Sequence, residues 1–290
     1  MQKKQLFLIL GAIMLFIALY FFGDMTGPKK SDSNGQTSEH QHQAGESGPM
    51  SGMNPSAQIP DLDFTKYTND AISKLSDENK IKANNLTQAA TKSNTAVAYK
   101  DIAEFWEAQN ELNMAANYYK KGAFLENTEK SVTFAGNLFV ALLQKTEEAS
   151  IRKWQAVEAI SCFEKAIEIN PTNLDTKIAL ATCYTEGTGE TMKGVTLLRE
   201  ITQNDSTNIP ANIILGKLAI QSGQFDKAKK RLELVLSLRP DNTEAMYFLA
   251  EAYKGLGDKQ KAIELFEKCK SLVKNPDFTK EVDNYIKTFK

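Results

Sequence analysis

The sequence predicts an all-α fold of stacked helical hairpins, and three observations carry that expectation. From Asp61 onward alanine, leucine, lysine and glutamate recur in amphipathic blocks of 10 to 15 residues, punctuated by glycine or asparagine. No run alternates apolar and polar residues with period two over a convincing length, which argues against strands. The blocks also repeat: Gly223 and Gly257, Ala228 and Ala262, and Leu215 and Leu249 each lie 34 residues apart. A fixed period of this size marks a structure made by stacking one supersecondary unit on the next.

Composition permits such a fold and excludes some functions. The chain has 290 residues, 42% hydrophobic and 24% charged, which is enough to bury a core without covalent staples. Net charge is −1, with acids and bases spread along the chain, so no field of one sign points to nucleic acid. Cys162, Cys183 and Cys269 lack CxxC spacing. An odd, sparse set is read as buried core residues, not as a disulfide framework or a zinc site.

The first element, residues 1–23, reads as a transmembrane signal anchor. Leu6–Phe22 is 17 residues without a charge, and as a helix it spans roughly 25 Å, near the short end of a bilayer core. Phe21 and Phe22 stand where a cleavage site needs small residues, so an uncleaved anchor is expected instead of a removed signal. Lys3 and Lys4 precede the span and Asp24 follows it. The positive-inside bias therefore puts the N-terminus in the cytoplasm and the rest of the chain outside it, in the periplasm of a double-membraned bacterium.

Residues 24–60 read as a flexible, low-complexity linker. They hold proline, glycine, serine and asparagine, no tyrosine or tryptophan, and one isoleucine, Ile59. Such a segment buries too little apolar surface to offset the entropy of ordering. As a coil it has an end-to-end distance of roughly 30–35 Å. Both histidines of the chain, His40 and His42, lie here with Met50 and Met53. Imidazole and thioether ligands together are compatible with copper. With no fold to preorganise them, spacer is the reading adopted and copper handling the alternative.

The helical part divides by its own repeats. Residues 61–95 read as a degenerate N-terminal hairpin with Ile72, Leu75, Ile81 and Leu86 as core residues. An array over 96–276 follows, in units 96–129, 130–173, 174–208, 209–242 and 243–276. Ala115, Ala159, Gly194, Ala228 and Ala262 let two antiparallel helices approach, and large residues four positions on, from Tyr119 to Phe266, fill the space between them. Gly223 and Gly257 suit the turn between the helices, and Pro171 and Pro240 end the second helix. The second unit has roughly ten extra residues around "QKTEEASIRKW", placed in its hairpin, and the third has one near "TGETM". Residues 277–290 read as a capping helix, with Asn275 as its N-cap, Pro276 at the first position and Phe278, Val282, Tyr285, Ile286 and Phe289 as one apolar stripe.

The repeat resembles the tetratricopeptide repeat, a helix–turn–helix with tyrosine, leucine–glycine, alanine, phenylalanine and proline at set positions. Leu215-Gly216, Gly223, Ala228, Leu232 and Pro240 carry the likeness in the fourth unit. Leu249-Ala250, Tyr253, Gly257, Ala262 and Phe266 carry it in the fifth. Lys274 departs from it where a proline is expected. The resemblance implies a right-handed superhelix, an α-solenoid, which here would be preceded by the one transmembrane helix read from Leu6–Phe22. It also implies a concave groove, lined by the first helices, that accepts a protein or peptide.

By that resemblance the groove-facing positions fall on Lys100, Glu104 and Glu107; on Thr182, Thr185 and Glu186; on Ile213, Lys217, Ile220 and Gln221; and on Tyr247, Glu251 and Lys254. Glu104 stands where the subtype that grips a C-terminal carboxylate needs asparagine, so that subtype is not assigned. Chemistry is not expected. No histidine lies in the repeats, which removes the usual hydrolase arrangements. No phosphate-binding or dinucleotide fingerprint occurs; "GTGET" at 187–191 reads as a turn. Trp106 and Trp154 are expected to pack. The expectation is a non-enzymatic, membrane-tethered scaffold that binds a partner protein, with no cofactor, no small-molecule substrate and no nucleic acid. One version resembles the membrane-tethered repeat proteins of cytochrome c maturation, which hold an acceptor chain. The sequence sets no oligomeric state.

Overall fold

The computed structural model describes residues 61–289, and every regular element in them is helical. The expected span over 6–22, the linker and the His40, His42, Met50 and Met53 set lie outside the described residues. Among the described residues no helix is long and apolar enough to cross a membrane. They divide into two compact units, 61–262 and 263–289.

The first unit opens with α1 (Phe64–Ser73) and α2 (Asp77–Ser93) and continues with hairpins. Four pairs follow, α3 (Ala96–Ala108) with α4 (Leu112–Glu126), α5 (Glu129–Leu143) with α6 (Ala149–Ile169), α7 (Leu174–Thr182) with α8 (Thr191–Asn204), and α9 (Ile209–Gln221) with α10 (Phe225–Leu238). Then come α11 (Thr243–Gly255) and the start of α12 (Lys259–Val273). Asn173, Asn208 and Asn242 cap α7, α9 and α11, each side chain accepting from the amide three residues on. Two hairpins turn on glycine at positive φ, Gly223 at 71° and Gly257 at 82°. In the first, Asn110 takes the left-handed conformation at 60°, the one other residue type that tolerates it well.

The core is a chain of clusters that share helices. Ala71, Ala83, Ala90, Ile102, Trp106, Met114 and Tyr118 bury together at the N-terminal end. The next cluster takes Ala116 and Ala123 from the same α4, with Phe139, Phe163 and Leu180. Ala181 then joins Leu198, Ile201 and Leu215. Each hairpin thus buries one face against its neighbour, which is why a single unit cannot fold alone. A hydrogen bond repeats between neighbours as well: Tyr184 donates to Glu164 at 2.6 Å and Tyr253 to Glu233 at 2.8 Å, both across 20 residues.

The structure corrects three local expectations. Ile81 is 63% exposed, because alanines, Ala83 and Ala90, bring α2 close to its neighbours and leave Ile81 on the opposite side. Ile72, Leu75 and Leu86, by contrast, are partly buried and pack against the N-terminal core cluster. Most of the extra residues of the second unit lengthen α6 to 21 residues, and the loop before it grows only to 144–148. Arg152 on α6 reaches back to the carbonyls of Leu143 and Thr146 at 2.7 and 2.9 Å, satisfying the end of α5. The extra residue of the third unit lies inside the helix, where Cys183–Gly187 forms a π turn closed by Thr188 N–H to Cys183 C=O at 3.2 Å.

Helix α1 joins the lengthened α6. Phe64 stacks on Trp154 with centroids 4.6 Å apart, and Asp61 pairs with Lys153 at 2.8 Å. The fully buried Gln155 donates to Asn113, which in turn donates to the Tyr67 hydroxyl at 3.2 Å. The N-terminal hairpin therefore packs on two successive repeats.

In the second unit, α13 (Pro276–Lys287) is capped by Asn275 and buries Phe278, Val282 and Ile286. Phe266 meets Tyr285 edge-on at 5.7 Å, and Lys270 bonds Asp283 and Glu267.

Candidate functional site: the face of the first helices

Each hairpin contributes its first helix, α3, α5, α7, α9 or α11, to one candidate face. Position along these helices decides which side chains meet. Lys217 on α9 pairs with Glu186 of the π turn at 2.6 Å, 31 residues away in sequence. Glu244 on α11 lies within electrostatic reach of both: burial pushes its carboxyl above the ordinary range, Lys217 draws it back, and Glu186 raises it further. Three successive first helices thus place charged groups in one spot.

The π turn is what delivers Glu186 there. Gly187 at its end packs so closely on α6 that an added Cβ would lie 2.4 Å from the Ala156 Cβ. The inserted residue is absorbed as an outward bulge in the helix, while the chain stays tight against its neighbour.

The remaining sequence-named positions fall into two groups. At the N-terminal end, Lys100 and Glu104 pair at 3.4 Å, and Glu107 accepts from the Tyr119 hydroxyl at 2.8 Å. Burial, then Glu107, push that hydroxyl up to about 12, with Glu104 adding to the rise. At the other end, Thr182 and Thr185 donate to carbonyls of their own turn, at 3.0 and 3.2 Å. Lys254 and Glu251 pair at 3.8 Å, and Tyr247 is half-buried against Phe248. Ile220 is half-buried and Gln221 exposed. Ile213 is buried, so it belongs to the core and offers a ligand little. Among the described residues no hydrogen bond or ion pair joins the Lys100 group to the Lys217 group; α5 intervenes in the chain.

Sequence reasoning missed two residues. Glu244 follows an N-cap asparagine and reads as an ordinary first-turn acid that complements the helix dipole; its burial is a tertiary fact. Phe134 on α5 is 51% exposed and edge-on to Tyr119 at 5.7 Å. Helix α5, "EKSVTFAGNLFVALL", is apolar on most sides, so no polar face singled out its exposed positions. For Phe134 alone a signal was available, since a shift of 34 residues sets it on Lys100.

The three thiols are deeply placed. Burial pushes the thiols of Cys162, Cys183 and Cys269 up to about 12, the opposite of what a nucleophilic cysteine needs. Among the described residues no group of three histidine, cysteine or acidic side chains is placed to hold a metal ion.

Against known proteins, family models described as Tetratricopeptide repeat match residues 158–173 and 219–271. The chain carries tetratricopeptide repeats. Among solved structures it is similar to YrrB, described as a TPR protein with an unusual peptide-binding site, at 22% identity over 69% of this chain and 97% of that one, with a TM-score of 0.45. It is similar to a MamA crystal structure at 18% identity over 61% and 91% of the two chains, with a TM-score of 0.46. A 41-end form of MamA from Desulfovibrio magneticus RS-1 resembles it at 17% identity over 63% and 97%, with a TM-score of 0.48.

Proposed function

We propose that this protein is a membrane-tethered scaffold that binds a segment of a partner protein in a groove lined by its first helices, in support of an extracytoplasmic complex. The observation that carries the binding function is the convergence of Glu186, Lys217 and Glu244 from three successive first helices onto one face. A face shared by several repeats suits an extended segment better than a small molecule, because each repeat supplies a few contacts to successive residues of the guest. The tether is proposed from the uncharged Leu6–Phe22 run and the linker after it, with the N-terminus cytoplasmic. Holding an acceptor chain, as in cytochrome c maturation, is one form such a scaffold takes. Copper handling through His40, His42, Met50 and Met53 draws on no observed geometry and is not part of the proposal.

Photo-crosslinking tests the groove. A photoreactive residue at Gln221 or Tyr247 should capture the same discrete partner, and one at Lys230, exposed on the second helix α10, should not. Equal capture from all three positions would count against the groove. A reporter fused to the C-terminus should be active outside the cytoplasm; activity inside it rejects the proposed topology.

A further inference from the structure

The charges of the first-helix face do not balance, and the excess is specific. Lysines and carboxylates there are mostly spent on one another: Lys100 on Glu104, Lys217 on Glu186, and Lys254 on Glu251. At the second residue of each first helix, Lys130 of α5 and Asp175 of α7 offset one another, and Val97 and Pro210 carry no charge. Of the groove-facing carboxylates named from the sequence and those at the second helix position, two remain, Glu107 and Glu244; Glu129, at the first position of α5, is taken up by Asn170 and Asn173, and Asp101 lies beside them on the exposed side of α3. Among the described residues no cation lies within ion-pair distance of Glu107 or Glu244. Glu107 accepts one hydrogen bond, from Tyr119. Glu244 is half-buried beside a lysine already committed to Glu186.

We infer that the groove takes a basic peptide segment, with one arginine or lysine of the guest seated on Glu244 and a second on Glu107 beside the exposed Phe134 ring. This rests on the groove reading above and adds the chemistry of the guest. A half-buried carboxylate without its own counter-ion is costly to hold, and an incoming cation relieves that cost. At Glu244 the guest cation would also meet the Glu186–Lys217 pair, in which Lys217 offsets one of the two carboxylates and leaves the spot with a net negative charge. At the other end, Phe134 and Tyr119 present an aromatic pair next to Glu107 and Glu104. A carboxylate beside an exposed ring suits a guanidinium, which stacks on the one and pairs with the other. An acidic guest, including a free C-terminal carboxylate, would face both surplus charges and is disfavoured.

The test is a selection of displayed random dodecapeptides on the full-length protein in detergent, with E244Q and E107Q selected in parallel at low and high salt. Selected peptides are then sorted by whether they crosslink from Gln221 or Tyr247. Groove-crosslinked peptides should be enriched in arginine and lysine. They should bind E244Q about fivefold more weakly, the scale of one partly screened ion pair, and should weaken as salt rises. The folded content of E244Q should match the parent by circular dichroism. Groove-crosslinked peptides without basic enrichment, or bound by E244Q and by E107Q as tightly as by the parent, overturn this inference and leave the groove standing. If no selected peptide crosslinks from either position, the groove reading fails and this inference with it.

Discussion

The second and fourth repeats are built from the same two helices and put them to different use. In the fourth, α9 and α10 are 13 and 14 residues long, meet at Gly223, and touch little beyond their neighbours in the array. In the second, α6 runs to 21 residues, and its added turns carry Arg152, Lys153, Trp154 and Gln155. Those four cap α5 and dock α1. The difference teaches that regular spacing produces stacking and little else. Departures from spacing in this chain produce connections: the long α6 receives the N-terminal helix, and the single insertion in the third repeat becomes the π turn that carries Glu186 to Lys217.

Substitutions can break that comparison, and the largest effect belongs to the irregular repeat. Trp154→Ala removes the stack on Phe64 and the edge contact to Phe139 at 5.4 Å, and should cost about 3 kcal/mol. Hydrogen exchange should speed up in α1 while α9 and α10 keep their protection. Equal loss of protection in α9 and α10 would show that the dock is not local. Gly187→Ala drives a Cβ into Ala156, backbone-borne and unable to swing aside, at about 2 kcal/mol. Thermal melting reads the cost, and the Glu186–Lys217 pair should loosen with it. In the regular repeat, Gly223→Ala meets open space and suffers only from its φ of 71°, so about 1 kcal/mol is expected. A larger loss there than at Gly187 would reverse the comparison.

The smallest expected effect is at Glu244, and it has the opposite sign. Its folded-state carboxyl titrates above the ordinary range because of burial first and Glu186 second, with Lys217 opposing. Ionisation therefore costs the folded state. That cost is absent at acid pH where both states are protonated, grows as pH rises through the ordinary carboxylate range, and is complete above the raised folded value. Glu244→Gln should melt slightly higher than the parent at neutral pH, and the gain should vanish in acid. A gain that persists in acid would assign the effect to something other than the charge.

Much of the fold was legible because it is periodic. Ala115, Ala159, Ala228 and Ala262 are buried where the register places them, and Phe163, Leu232 and Phe266, the large residues four positions on, are fully buried as well. Less of the site was legible. Ile213 shares its helix with Lys217 yet points into the core, and helix α9 is so apolar that the sequence shows no boundary between its faces. Glu244 and Phe134 went unread because exposure and burial at the edge of a face depend on the neighbouring repeat, which a local window does not contain.

By itself the sequence determined the helices, their pairing and their period, since apolar spacing, asparagine caps and turn glycines act within a few residues. It also put an excess of acids on the first helices, which can be counted without coordinates. Only the tertiary structure decided where inserted residues go. Most of the second repeat's extra residues could have made a loop and became helix, because Arg152 and Trp154 found partners in α5 and α1. One residue could have lengthened a turn and became a π bulge, because Gly187 and Ala156 pack too closely for the chain to shift. Those contacts lie tens of residues apart in sequence, and their energies exceed the small local preferences that a sequence displays.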